Sequence, residues 1–290
     1  MRKILAFFTL ALACLPPALA ADDDWVARLN AWADEFQIPA DILPRERDAL
    51  LQLQTLDLSH ITPAKITRLP PEIGKLRQLQ LLDLNFNRID ALPAEIGDLA
   101  QLTELRLADN PIRRLPAEIG KLQRLQYLGL FNNGLTELPP ELFQLRALQQ
   151  LDLSGNHLEV LPAAIGELSQ LNRLGLDGNH LGDLPASIGK LQELQTLKLS
   201  GNQLTRLPPE LFQLRQLRHL MLAENRLTAL PLDIGKLQQL EQLDLYHNPI
   251  PHLPAEITTL DKLILLDLGS DTKLTPEQQA FANAVQERYP

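Results

Sequence analysis

Residues 102–122 read LTELRLADNPIRRLPAEIGKL. Leu105 and Leu107 alternate with polar neighbours, the period-two signature of a short strand with one buried face. Asn110 follows where the chain must turn inward, and a short amide there can pair with backbone groups that burial would otherwise leave unpaired. Leu115-Pro116 opens a second segment, its proline suited to the first position of a helical turn. Ile119 and Leu122, three apart, turn back toward the leucines.

The same unit recurs along most of the chain. Asn87, Asn110, Asn133, Asn156, Asn179, Asn202, Asn225 and Asn248 are spaced by 23 without a slip, and the leucines keep step around them. An imperfect unit precedes them (Leu53, Leu56, Leu58, then Leu69-Pro70 after a three-residue insertion). Another follows (Leu263, Leu266, Leu268), with Asp271 where asparagine is expected. One such unit cannot bury its own apolar face, so the units must stack. Stacking sets the strands side by side as a parallel sheet, about 4.8 Å apart. A wider helical turn opposite each strand bends the stack into an arc with the sheet on the concave side.

This pattern resembles the leucine-rich repeat, and its length resembles the 23-residue class of scaffold proteins of the Scribble and Ras-suppressor kind. The resemblance covers residues 51–270. The expected fold is an α/β solenoid: a leucine-rich-repeat arc with a parallel concave sheet, short convex helical turns and helical caps. Residues 51–270 hold eight full units and two imperfect terminal ones. The caps fall to residues 21–50 and 271–290. Trp25, Val26, Leu29, Trp32, Ala33 and Phe36 have helical spacing and suit the N-terminal cap, with a second short helix near 45–53. Thr275 before Pro276, with Gln278 at the capping-box place, begins the C-terminal helix, whose Phe281, Ala282 and Val285 face the last coil. Phe143 and Phe212 replace the glycine of Ile-Gly in near-identical stretches three repeats apart and are expected in the convex core.

Residues 1–20 read as a signal peptide: Arg2-Lys3, an apolar run from Ile4 to Leu15, Pro16-Pro17, then Ala18-Leu19-Ala20 ahead of three aspartates. Cleavage is expected between Ala20 and Ala21. The run is too short to span a bilayer, so no transmembrane segment is expected. The alternative, a lipid anchor on Cys14, meets an unfavourable Ala11-Leu12-Ala13 order. Export to the periplasm or beyond is the expectation, as in the small exported bacterial leucine-rich-repeat proteins that the whole chain resembles. Cys14 is the only cysteine, so the mature chain has no thiol chemistry.

Composition narrows the function. A hydrophobic content of 45% excludes disorder, and 4% aromatics leave an aliphatic core. The net charge of −9 grows more negative once Arg2 and Lys3 are removed, which excludes a nucleic-acid partner and attraction to anionic membranes. No Gly-rich phosphate loop, Ser-His-Asp set or metalloprotease helix is present, and neither an enzyme nor a cofactor is expected. Two relatives are set aside on the resemblance: plant receptor ectodomains carry a Gly-x-Ile-Pro signature missing here, and bacterial ubiquitin-ligase effectors need a catalytic cysteine.

A ligand would meet the residues between the strand leucines, which face the groove. Phe86, Tyr127 and Phe131 gather toward the N-terminal side with Arg106 between them. Met221, His219, Tyr246 and His247 gather toward the C-terminal side, and the middle is small and glycine-rich. Exposed aromatics and arginine mark binding surfaces; Phe86 and Phe131 can alternatively fold over onto the core. The candidate ligand-binding residues are Phe86, Glu104, Arg106, Tyr127, Phe131, Asp152, Arg173, Lys198, His219, Met221, Asp244 and Tyr246. His157 and His180 share one place in adjacent coils, but two histidines make a poor zinc site. Asp244 and Asp267 stack as well; with no nucleophile or closed pocket, they suit a basic ligand side chain better than acid–base catalysis. These features point to a monomeric recognition module that holds a protein or peptide in its groove. The alternatives are a structural or surface-assembly protein, an intracellular-type signalling scaffold and, below these, a glycan binder.

Overall fold

A computed structural model describes residues 24–59, 65–269 and 272–288. The cleavage site, Cys14 and Asp271 lie outside them. Within them, ten three-residue strands form one parallel sheet in chain order, from β1 (Thr55–Asp57) and β2 (Leu81–Asp83) to β10 (Leu265–Asp267). The intervening strands are β3 (Glu104–Arg106), β4 (Tyr127–Gly129), β5 (Gln150–Asp152), β6 (Arg173–Gly175), β7 (Thr196–Lys198), β8 (His219–Met221) and β9 (Gln242–Asp244). Partners are 23 residues apart between β2 and β10, for example Leu105 with Leu128.

Each coil closes on its own leucines. Leu102, Leu105, Leu107, Ile112, Ile119 and Leu122 are wholly buried and Leu115 nearly so, each burial stabilising by about 1.5–3 kcal/mol against exposure. The asparagines tie neighbouring coils together. Asn156 Nδ2 donates to the Leu153 carbonyl of its own coil and the Leu130 carbonyl of the preceding one, both at 2.9 Å. Its Oδ1 accepts the Leu135 N–H at 3.0 Å. The pattern repeats from Asn87 to Asn248, so the amide closes each inward turn and welds it to its neighbour.

The convex segments are five-residue 3-10 turns, the first Pro71–Lys75 and the last Ala255–Thr259. Their prolines sit one position earlier than the sequence pattern suggests. Pro116 is the N-cap, with extended backbone (φ −68°, ψ 150°), and its carbonyl accepts the Ile119 N–H at 3.1 Å. Proline's fixed φ suits this extended entry as well as a helix start. Only where prolines are doubled does the second, such as Pro71, occupy the first helical position.

Helices close both ends. In α1 (Trp25–Glu35), Trp25, Leu29, Trp32 and Ala33 are buried, and Trp32 Nε1 donates to the Arg68 carbonyl at 2.9 Å. Helix α2 (Arg47–Leu51) inserts Leu50. In α3 (Pro276–Arg288), the Thr275 hydroxyl accepts the Gln278 N–H at 3.2 Å, and Gln278 Oε1 accepts the Thr275 N–H at 3.1 Å. This is the reciprocal capping box. Gln278 also donates to the Leu253 carbonyl at 2.9 Å, and Val285 is buried. Phe143 and Phe212 lie in the core.

Candidate functional site

The strand pattern divides labour by position. The middle residue of every strand from β1 to β9 is a buried leucine, while the first and third face the groove. None of the twelve candidate residues is buried. Phe86 and Phe131 are 45% exposed and Tyr246 is 42% exposed, so the alternative of folding over onto the core does not occur.

At the N-terminal end, Arg106 Nε donates to Glu104 Oε1 at 2.6 Å and Nη1 to Asp83 Oδ2 at 3.2 Å. The hydrogen bond to Glu104 is the main cause of a guanidinium pKa above its ordinary value. Arg106, expected as a cation open to a ligand, is therefore engaged within the groove, and Glu104 serves to hold it. The Tyr127 ring lies over Gly129, where an added Cβ would meet Cε1 at 2.9 Å. Burial, then the charge of Asp152, raises the Tyr127 phenol pKa. Tyr127 and Arg106 line one depression with Asn85, Thr103, Gln126 and Gln150. Phe131 instead leans toward the next coil, its Cε2 lying 3.6 Å from where a Cβ on Gly155 would be.

The middle of the groove holds a shallow concavity of about 230 Å³ lined by Tyr127, Gln150, Asp152, Arg173, Gly175, Thr196 and Lys198. Arg173 and Lys198 are exposed. Asp152 Oδ1 accepts the Ser154 N–H at 3.0 Å, and Asp177 Oδ1 accepts the Ser200 N–H at 2.7 Å. Burial pushes the Asp177 carboxyl above its usual range. The sequence reading missed this capping role. At Asp152 its signal is an aspartate ending the strand two residues before the N–H it takes, seen also at Asp57, Asp83 and Asp244, whereas Asp177 reaches across to the next coil.

Of the expected C-terminal cluster, Tyr246 and His247 are in contact, while His219 also reaches Thr196 and Glu241. His219 Nδ1 lies 3.1 Å from the Thr196 hydroxyl and its Nε2 3.7 Å from Glu241. Tyr246 stacks on His247 with centroids 3.8 Å apart, and its N–H is taken by Asp244 Oδ1 at 3.0 Å. Burial, then the neighbouring Asp267 and Glu224, raises the Asp244 carboxyl. The His157 and His180 rings stack at 5.7 Å, and among the described residues no group of three or more ligating side chains could hold a metal ion.

A family model of the leucine-rich repeat region matches residues 44–126, 117–181, 164–226 and 210–282. The chain belongs to the leucine-rich-repeat family. Among solved structures it is similar to a leucine-rich-repeat protein of Leptospira interrogans, with 36% identity and a TM-score of 0.76, over 86% of this chain and 72% of that one. Receptors match as well, among them one of the plant kind set aside on its convex signature. A TDR receptor is 32% identical with a TM-score of 0.65, over 77% of this chain and 44% of its own. The plant peptide hormone receptor RGFR1, solved in complex with RGF2, is 29% identical with a TM-score of 0.56, over 77% and 44%. The leucine-rich-repeat chain described here thus spans less than half the length of either receptor. No curated protein matches the chain. Among the described residues, no helix is long and apolar enough to cross a membrane.

Proposed function

We propose that this leucine-rich-repeat protein is an exported, non-enzymatic recognition module that holds a protein or peptide in its concave groove. The observation that carries the reading is the groove itself. It is an open surface whose middle-position leucines are buried from β1 to β9, leaving aromatic and charged side chains accessible at the first and third strand positions. Similarity to a receptor for a plant peptide hormone supports the same use of the surface. An open groove excludes little water, which favours binding over catalysis.

The test is affinity capture from the native host with wild type beside two variants. Tyr127→Ala with Arg173→Ala should weaken capture at unchanged thermal midpoint. Lys121→Glu with Lys190→Glu, exposed on the convex turns, should leave it unchanged. The reverse pattern favours an assembly protein, for which Val160 and Leu232, 71% and 65% exposed outside the groove, supply apolar contacts. Export is tested by intact mass of the native protein. A chain beginning at Ala21 is expected, and a retained Met1 or an acylated Cys14 would overturn that expectation.

A further inference from the structure

The third positions of β6 to β10 form a row across the sheet: Gly175, Lys198, Met221, Asp244 and Asp267, each in register with the next. Along this row the charge changes sign, from a cation through a thioether to two carboxylates. Arg173, two residues before Gly175 on the same face, adds a second cation. Among the described residues, none of Arg173, Lys198, Asp244 and Asp267 has an ion-pair partner. Arg106, by contrast, is held by two carboxylates in the same groove. Asp152 and Asp177, the second of which feels the charge of Lys198, each commit one oxygen to a backbone N–H. At the other end, burial and the negative charges of Asp267 and Glu224 raise Asp244, so a visiting cation would relieve that site.

Spacing then selects the occupant. Lys198 and Asp267 are three strands apart, about 14 Å along the groove. An extended chain rises about 3.3 Å per residue and places alternate side chains on one face, so residues four apart face the same way about 13 Å apart. The residue midway lies near Met221. Beside the middle strands, Gly155, Gly178 and Gly201 stand where the outer coils carry Phe86, Asp109, Asn132, Glu224 and His247. The edge is therefore low beside Arg173 and Lys198, where the acidic end of a chain would be seated, and is raised by Glu224 and His247 beside Met221 and Asp244.

We propose that this half of the groove binds an extended polypeptide segment with an acidic and a basic side chain four residues apart. The acid lies over Arg173 and Lys198, the base over Asp244 and Asp267, and an apolar side chain between them over Met221. The inference rests on the reading of the groove as a peptide-binding surface and adds the chemistry of its ligand.

The probes are end-capped synthetic peptides of identical composition. In one, Glu and Lys are separated by Ser-Leu-Ser, in either chain order; in the other, Glu and Lys are adjacent. Fluorescence anisotropy at low salt should show the spaced peptide binding about tenfold more tightly than the adjacent isomer, two exposed charge pairs being of that order. Arg173→Ala with Lys198→Ala should abolish the advantage. Asp244→Asn with Asp267→Asn should do the same while keeping an acceptor for the Tyr246 N–H. Lys198→Gln alone is the milder variant should either pair fail to fold, and it should reduce the advantage. Equal affinity for the two isomers, or an advantage that survives these substitutions, overturns the assignment and leaves groove binding standing. Absence of binding by every peptide also overturns it, and the capture experiment with convex variants then decides the broader reading separately.

Discussion

Each ladder asparagine follows a residue whose backbone is left-handed. The series runs Phe86, Asp109, Asn132, Gly155, Gly178, Gly201, Glu224 and His247, with φ between 51° and 68°. A side chain in that conformation costs about 1–2 kcal/mol, which glycine escapes and Asp or Asn partly offset. Phe86, Glu224 and His247 are held there because the following asparagine has its partners fixed by two coils. Gly178 isolates the cost, since an added Cβ would meet nothing nearer than the Gly155 backbone at 3.7 Å. Gly178→Ala should therefore lower stability by about 1–2 kcal/mol through φ alone, read from the urea midpoint. The converse change, Glu224→Gly, should raise it by up to about 1 kcal/mol. An unchanged midpoint for Gly178→Ala would mean that the turn relaxes out of the left-handed region.

Successive convex turns are packed through the glycine of Ile-Gly. A Cβ on Gly166 would lie 2.6 Å from the Ser187 carbonyl oxygen of the next turn, and Gly74, Gly97, Gly120 and Gly189 are equally tight. Where phenylalanine replaces this glycine, at Phe143 and Phe212, the following turn sits farther away. The ring fills the gap and is buried. Two wedges three coils apart thus open the convex side locally. Gly166→Ala should cost about 1–3 kcal/mol as backbone is forced against backbone. Gly182, with nothing within 4 Å of an added Cβ, should tolerate alanine within about 0.5 kcal/mol. Equal thermal midpoints for the two variants would show that neighbouring turns can slide apart freely.

Among the described residues the turns and strands of each coil pack on those of the adjacent coils, so stability is approximately a sum of coils and interfaces. Both tryptophans lie in α1 and report only on the N-terminal end. Asn248, near the other end, donates to the Leu222 and Leu245 carbonyls at 2.8 and 3.1 Å and accepts the Leu227 N–H at 3.1 Å. Removing these bonds in Asn248→Ala should cost about 1–3 kcal/mol. The loss should appear as an earlier circular-dichroism transition in urea while tryptophan fluorescence keeps its midpoint. Transitions that move together would show that the ten strands melt as one unit.

The amino-acid sequence by itself determined the solenoid, its strand register, the asparagine ladder, the caps and the set of residues facing the groove. All of these follow from periodicity: a repeat of constant length can bury its leucines only by stacking, and the register then follows. What the groove residues do to one another was decided by the tertiary structure. That Arg106 is taken up by Glu104 and Asp83 while Arg173 and Lys198 have no ion-pair partner depends on which side chains meet across strands 23 residues apart. The same holds for the left-handed row and the phenylalanine wedges. Hydrophobic burial dictates which face of a strand is seen by solvent, but charge pairing and backbone strain are settled by distances of a few ångströms between coils, and these exist only once the coils have stacked.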